Sequence, residues 1–539
     1  MSHEFTTFAN LCIAANSGIG SFDFVNEWLL QNSGNEDLLL SEGPIDFLLK
    51  FKAPIEVLQT LINLQPKITS KKFSSGRMAL HIAACSSVTV DVIEYIFDQN
   101  THAINKRDSQ GNTPLHCAVL YYAPVRVINF MVSNIRPGRH RNHMLTTNQS
   151  WWTPLHIACY CNPGVILLTP QVFYCRDILE KSDNNGNLPL HLACFNRNAT
   201  SDLINELIML YPLALQKTND EGNLPLHMAC AGKAKEEVIR KLLEENSNAA
   251  SQKNLAGELP LHVACKNNVP PHIILCLLSF FPDAAKEKDD GGNLPIHLEC
   301  QHHIDLLSLE KLEALLKEHP ISLYLHNNDG KVPSCLFQRD LGDLRDEIIS
   351  YAKMAITAGY SEHLVLLLLA DFQVEALIWK DENGNCLLHH ACNKSGAEIS
   401  CQTIALLLKL FPESPKIVNN SGQTPKDLLQ EAASYKDSAG RLLLHRFAKL
   451  KASYYAFCEF NVTADVINFV ADAYPDSISV PDYNGMLPLH HACLNHCNCE
   501  INWNCEDVLF TLLKRYPDSL VVPSTMVCIV RDSKRMKLG

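Results

Sequence analysis

A chain of 539 residues, 47% hydrophobic and 19% charged, is foldable rather than disordered but too long for one hydrophobic core. It must hold several domains or one long repeat array. Its formal net charge of -12 argues against nucleic acid or an anionic membrane as the main partner, because both select Lys/Arg-rich surfaces.

The opening residues carry no basic region, and their apolar stretch, Leu11 to Ala15, is too short for a secretion signal. The longest apolar run, Leu364 to Ala370, falls far short of a membrane span. Most of the 21 cysteines sit inside helical patterns rather than in loops where they could pair. The expectation is reduced thiols in the cytoplasm, with the nucleus also open, and no membrane association.

One short element recurs along the chain. Worn copies come first, in Leu11-Cys12-Ile13-Ala14-Ala15 and Gly43-Pro44-Ile45-Asp46, so the array begins near the N-terminus. A loose copy centres on His81, followed by Thr113-Pro114-Leu115-His116 and Thr153-Pro154-Leu155-His156. The element then reads Leu-Pro-Leu-His-Leu-Ala-Cys from Leu188 to Cys194. It returns with small changes from Leu224 to Cys230, Leu259 to Cys265 and Leu294 to Cys300. A worn Val332-Pro333-Ser334-Cys335, looser copies at His389 and His445, and Leu487 to Cys493 complete the series. Positions 81, 116, 156, 191, 227, 262 and 297 are spaced by 35, 40, 35, 36, 35 and 35 residues.

Each copy predicts the same local structure. An Asp-x-x-Gly turn precedes it, as at Asp183 to Gly186 and Asp482 to Gly485, with Asp220 to Gly222 as a shortened form. Pro takes the first helical position, where its missing N–H costs nothing. A short helix runs from His191 to about Asn196. After a loop, a second helix follows with apolar residues such as Val238, Leu242 and Leu243 on one face. The second helix stops at an aromatic-Pro pair: Tyr211-Pro212, Phe281-Pro282, Phe411-Pro412, Tyr474-Pro475 and Tyr516-Pro517.

Turn, helix, helix, with Thr-Pro-Leu-His opening the first helix, resembles the ankyrin repeat. The resemblance covers nearly the whole chain. It implies an all-α, helix-turn-helix solenoid of about 12 to 13 units, some degenerate. It also implies that turn tips and first helices line a concave face where protein partners dock. The chain departs from the family pattern in two ways. Leu replaces the opening Thr in most copies, removing the hydroxyl that the family uses to bond its His. The period is also longer, and the additional residues are assigned to the loop after the second helix.

The array is irregular further on. Cys335 and His389 are 54 residues apart, and Leu344 to Ala358 reads as an added helix within that interval. The expected organisation is a first block at 1–335, an insertion or joint at 336–362, a second block at 363–522, and a basic tail at 523–539. Thr424-Pro425-Lys426-Asp427 opens a unit only 18 residues before His445 begins to close the next element, so one of these units must lack its second helix. The abrupt end leaves two readings: the second helix of the last unit serves as the cap, or the sequence is an incomplete gene product. The tail (Arg531, Lys534, Arg535, Lys537) reads as a weak nuclear signal or a solvated end.

The repeat histidines His81, His116, His156, His191, His227, His262, His297, His389, His445 and His490 are read as structural. Seven copies carry His-x-x-Cys, as in His191/Cys194, which places both on one helix face where zinc could use them. Two ligands per helix are too few, and a Cys filling the small-residue slot explains the repetition better. Two anomalies stand outside the repeat logic. His496, Cys497, Cys499 and Cys505 crowd the last unit at workable spacing for a metal. The basic loop with Arg139 and Arg141, followed by Trp151 and Trp152, reads as replacing the usual Asp-x-x-Gly turn and supplies residue types enriched at binding hot spots.

No P-loop, nucleophile elbow or His-Glu-x-x-His motif is present. The function expected is therefore a monomeric intracellular adaptor or scaffold for one or more proteins, without catalysis or cofactor. The competing class is a metal- or redox-responsive protein using the C-terminal His/Cys cluster.

Overall fold

The computed structural model describes residues 3–18, 20–134, 145–161, 176–302, 308–337, 344–370, 379–393, 399–448, 463–497 and 504–516. Among the described residues every regular element is helical. No helix there is long and apolar enough to cross a membrane. The chain forms two compact units, residues 1–281 and 282–539.

In the first unit, the copy beginning at Asp183 shows how the repeat is built. Asp183 Oδ1 accepts the amides of Asn185 at 2.9 Å and Asn187 at 2.8 Å, and the Gly186 amide closes the turn on the Asp183 carbonyl at 3.1 Å. Gly186 lies at φ +74°, and a Cβ there would stand 2.7 Å from the Asp220 backbone nitrogen of the next turn. Glycine therefore serves both the backbone conformation and the close stacking of turns.

The next turn corrects the shortened form expected at Asp220 to Gly222. Asn219 takes the leading position, accepting the amides of Glu221 at 3.1 Å and Asn223 at 2.8 Å on Oδ1. The turn has full length because an Asn carbonyl oxygen accepts these bonds as a carboxylate does.

The first helix, Pro189–Phe195, starts with Pro in the first helical turn and buries every residue from Pro189 to Cys194. It can do so because it packs between first helices on both sides, Pro154–Cys161 and Pro225–Ala231. Small residues permit that approach: Ala193 and Cys194 are fully buried. The second helix, Glu236–Glu245 in the following copy, is amphipathic. It buries Val238, Ile239, Leu242 and Leu243. Its outer face carries the i,i+4 pairs Glu236–Arg240 and Lys241–Glu245.

Second helices end where the aromatic-Pro pairs place them. Tyr211 caps Ser201–Leu210 in an extended conformation (φ -145°, ψ 78°), and Pro212–Gln216 then forms a 3-10 turn that buries Ala214 and Leu215. The segment expected to be a loop is thus a packed turn. Tyr474 ends Ala464–Ala473 in the same way in the second unit. The two worn N-terminal copies are helical: Cys12 lies in His3–Asn16, fully buried, and Asp46 in Glu42–Lys50.

The second unit carries the irregular copies. Val332-Pro333-Ser334-Cys335 opens only a four-residue 3-10 turn, Pro333–Leu336. Leu344–Ala358 is a 15-residue helix packed against Glu362–Leu369 and Leu387–Cys392. Pro425–Ala433 is the copy without a second helix, since a turn at Asp437 to Gly440 follows it directly. That one helix packs against both Leu387–Cys392 and Ala464–Ala473, doing the work of a pair.

Candidate protein-binding surface

The repeat histidines organise the side of each unit formed by turns and first helices. His81, His116, His156, His191, His227, His297, His389 and His445 are all fully buried. Nδ1 of each accepts the amide of the residue three positions earlier, as from Leu188 to His191 at 3.1 Å and from Thr153 to His156 at 3.3 Å. Because that nitrogen accepts, the proton sits on Nε2, which donates to a carbonyl of the following turn. His116 reaches Trp152 at 3.0 Å, His156 reaches Asn187 at 3.2 Å, and His227 reaches Glu258 at 3.1 Å. In the second unit His297 reaches Leu325 at 3.0 Å and His445 reaches Met486 at 3.0 Å.

Where Thr opens the copy, its hydroxyl adds a bond to Nδ1, 2.7 Å at both Thr113 and Thr153. Leu in that position removes the hydroxyl and leaves the amide bond, which explains how the substitution is tolerated. Burial holds His116, His156, His191, His227 and His445 down to about 4, with the carbonyl bonds opposing it only in part. These imidazoles are neutral at physiological pH, as the hydrogen-bond pattern requires.

A second set of inter-repeat links was not anticipated. Nδ2 of Asn219 donates to Asn187 Oδ1 at 2.9 Å, and Asn254 donates to Asn223 in the same way at 2.9 Å. Asn148 to Asn112 at 3.1 Å, Asn327 to Asn293 at 2.9 Å and Asn419 to Asn385 at 2.9 Å repeat the contact. The signal was in the sequence: an Asn directly follows the turn glycine at 112, 187, 223, 293 and 385.

The turn before His156 also corrects an expectation. It is not replaced by the basic loop. Asn148 Oδ1 accepts the amides of Ser150 and Trp152, each at 3.0 Å, and the Trp151 amide closes on the Asn148 carbonyl at 3.1 Å. Trp151 occupies the glycine position at φ +60°. A bulky residue in the left-handed region is strained, and such strain gathers at functional positions. Trp151 is 55% exposed, with the Lys181 ammonium 5.6 Å from its ring centroid.

Trp152 is placed differently. Its ring N–H donates to Asp183 Oδ2 at 3.0 Å, and its ring lies 5.1 Å from that of Tyr160. Tyr160 in turn lies parallel to Phe195 at 6.2 Å. Trp152, Leu120, Ile157, Asn112 and Asn148 line a cleft of about 350 Å³ between these turns and first helices. Arg139 and Arg141 lie outside the described residues. So do Cys499 and the side chains of His496, Cys497 and Cys505. Among the described residues no group of three or more His, Cys, Asp or Glu side chains is arranged to hold a metal ion.

Two sequence comparisons point to the same repeat. Residues 49–141 match the family model of ankyrin repeats in three copies. A putative ankyrin repeat protein of fowlpox virus (strain NVSL) is 32% identical over 114 residues, 20% of this chain and 30% of the relative's length. The solved ankyrin repeat domain of Bcl-3, described as a unique member of the IkappaB family, is 22% identical. That match covers 43% of this chain and 96% of that one, with a TM-score of 0.33. The family match, the viral relative and the His-centred unit repeated through both compact units identify the chain as an ankyrin-repeat protein.

Proposed function

We propose that this chain is a non-catalytic adaptor or scaffold that binds other proteins through the turn tips and first helices of its repeats. Ankyrin repeats generally mediate protein–protein interaction, and the chain's own residues sharpen that reading to a place. The observation that carries it is Trp151, a strained, exposed indole at a turn tip where neighbouring turns use glycine. Trp is among the residues most enriched in binding hot spots, and the adjacent cleft is lined by Leu120, Trp152 and Ile157 together with polar side chains such as Asn112 and Asn148. Packing Cys159, Cys194 and Cys230 as buried apolar groups supports an intracellular, reducing setting.

The test uses the full chain and a Trp151→Gly variant, which removes the ring and relieves the backbone. Both are immobilised and exposed to extract from the native cell, with retained proteins quantified. A specific protein retained by the first and lost by the second supports the reading. Equal retention by both moves the contact away from this turn.

A further inference from the structure

In the first unit, Pro66–Thr69 and Thr101–Asn105 are the 3-10 turns that end two consecutive repeats. Each leads by a short link into the turn that opens the next copy. Residues 66–72 and 101–107, which span these turns and links, hold Lys67, Lys71, Lys72, Lys106 and Arg107 and no Asp or Glu. All five basic residues are exposed. The chain as a whole carries 58 Asp and Glu against 46 Lys and Arg, so this strip is opposite in sign to the protein that bears it.

The repeat holds the two clusters in register. Lys71 and Lys106 stand ten residues before His81 and His116, and Lys72 and Arg107 stand nine before them. Nε2 of the buried His81 donates to the Lys106 carbonyl at 3.1 Å, where the backbone is extended (φ -78°, ψ 153°). The main chain is thus fixed from inside while the residue stays exposed. Nζ of Lys72 donates to the Arg107 carbonyl at 3.4 Å, so the two clusters adjoin. Nearby carboxylates are already engaged. Asp108 is buried 3.7 Å from Arg77, and Glu42 accepts from Ser74 at 3.3 Å and Ser75 at 3.1 Å. Thr146 and Thr147 hold the register without charge in the next copy, and Lys181 restores it in the one after. Lys181 lies 5.6 Å from the Trp151 ring centroid, which joins the basic register to the exposed indole.

We propose that this strip docks an extended segment, rich in Asp and Glu, of the partner protein that Trp151 engages; the inference rests on the adaptor reading. Charge complementarity carries it. Five cations at one edge of an acidic chain attract an acidic segment, orient it along the turns, and leave the rest of the surface repelling it. Four of the five are Lys, which act as point charges rather than as the planar forks that match phosphate. Neither segment holds Phe, Tyr or Trp, so the bases of a single-stranded nucleic acid find no stacking platform there. The acidic remainder of the chain also repels a polyanion longer than the strip.

The test is fluorescence anisotropy of a fluorescein-labelled octaglutamate peptide titrated with the full-length chain. Saturable binding is expected, weakened about tenfold when salt rises from about 0.05 M to about 0.5 M. Lys71→Glu/Lys106→Glu should weaken it by about tenfold or more. Both replaced residues are exposed, and the carbonyl that His81 needs remains, so the variant keeps the fold, which circular dichroism checks. Trp151→Gly should bind the peptide as the unaltered chain does. Absence of saturable binding, equal binding by the charge-reversed variant, or tighter binding of labelled oligothymidylate than of octaglutamate overturns the proposal. The salt and oligothymidylate arms use the unaltered chain and decide the matter even if a variant fails to fold. If octaglutamate does not bind while Trp151→Gly still loses a captured protein, the strip falls and the adaptor reading stands.

Discussion

Glu299 and Lys311 form an ion pair at 2.5 Å with both side chains closed off from solvent. Glu299 stands where Ala193, Ala229 and Ala264 stand in the other first helices, and Lys311 answers it from the second helix of the same repeat, Leu309–Glu318. Burial pushes the Glu299 carboxyl up, and Lys311 opposes that shift. Lys311→Met strands a buried carboxylate and should destabilise the second unit by about 3–5 kcal/mol. Adding Glu299→Leu should recover most of this loss, since an apolar pair of similar volume is often neutral or better. Urea denaturation of the two variants checks both statements; equal losses in the single and double variants would remove the ion pair as the cause.

Acid should loosen the array before it reaches the carboxylate range. The folded pKa of His116, His156, His191, His227 and His445 is about 4, below the ordinary imidazole value near 6.5. Between those values the unfolded chain binds more protons than the folded one. The stabilisation is therefore complete above about pH 6.5 and is lost as pH falls toward about 4. Each such histidine contributes a slope of up to about 1.4 kcal/mol per pH unit. Thermal unfolding followed by circular dichroism should show the midpoint falling steeply from pH 6.5 to 4.5, and a flat midpoint across that window would contradict it.

Opposite substitutions at two turns should have opposite signs. Trp151→Gly relieves a left-handed backbone and should stabilise the first unit by about 1 kcal/mol. Gly186→Ala introduces a Cβ against the Asp220 backbone at φ +74° and should cost more than about 1 kcal/mol. Denaturation midpoints of the pair provide the comparison.

The asparagine links predict a third effect. Asn219→Asp keeps the acceptor of its own turn and replaces the amide that donates to Asn187 with a carboxylate oxygen. The turn should survive while the link fails, costing about 1 kcal/mol or more because two acceptors then face each other. Hydrogen exchange should rise at the turn amides of Asn185 and Asn187; unchanged protection would show that the link carries little.

The frame of this protein was readable because its determinants are local. Pro189 and Pro225 mark helix starts, Tyr211-Pro212 and Tyr474-Pro475 mark helix stops, and each acts within a few residues of itself. The turn at Asn148 was misread because its left-handed position holds Trp151 rather than glycine, so the expected residue type was missing. Asn219 was passed over because the turn needs an oxygen acceptor and not specifically a carboxylate. The contact of His116 with Trp152 joins residues more than 30 positions apart.

The bond from each repeat histidine gives the array a polarity. Eight of these histidines, from His81 to His445, reach toward a later carbonyl, spanning from Lys106 and Asn112 to Met486. Removing a repeat from the C-terminal side therefore takes the carbonyl acceptor away from the histidine of the repeat before it. Removing one from the N-terminal side exposes a carbonyl, which water can satisfy.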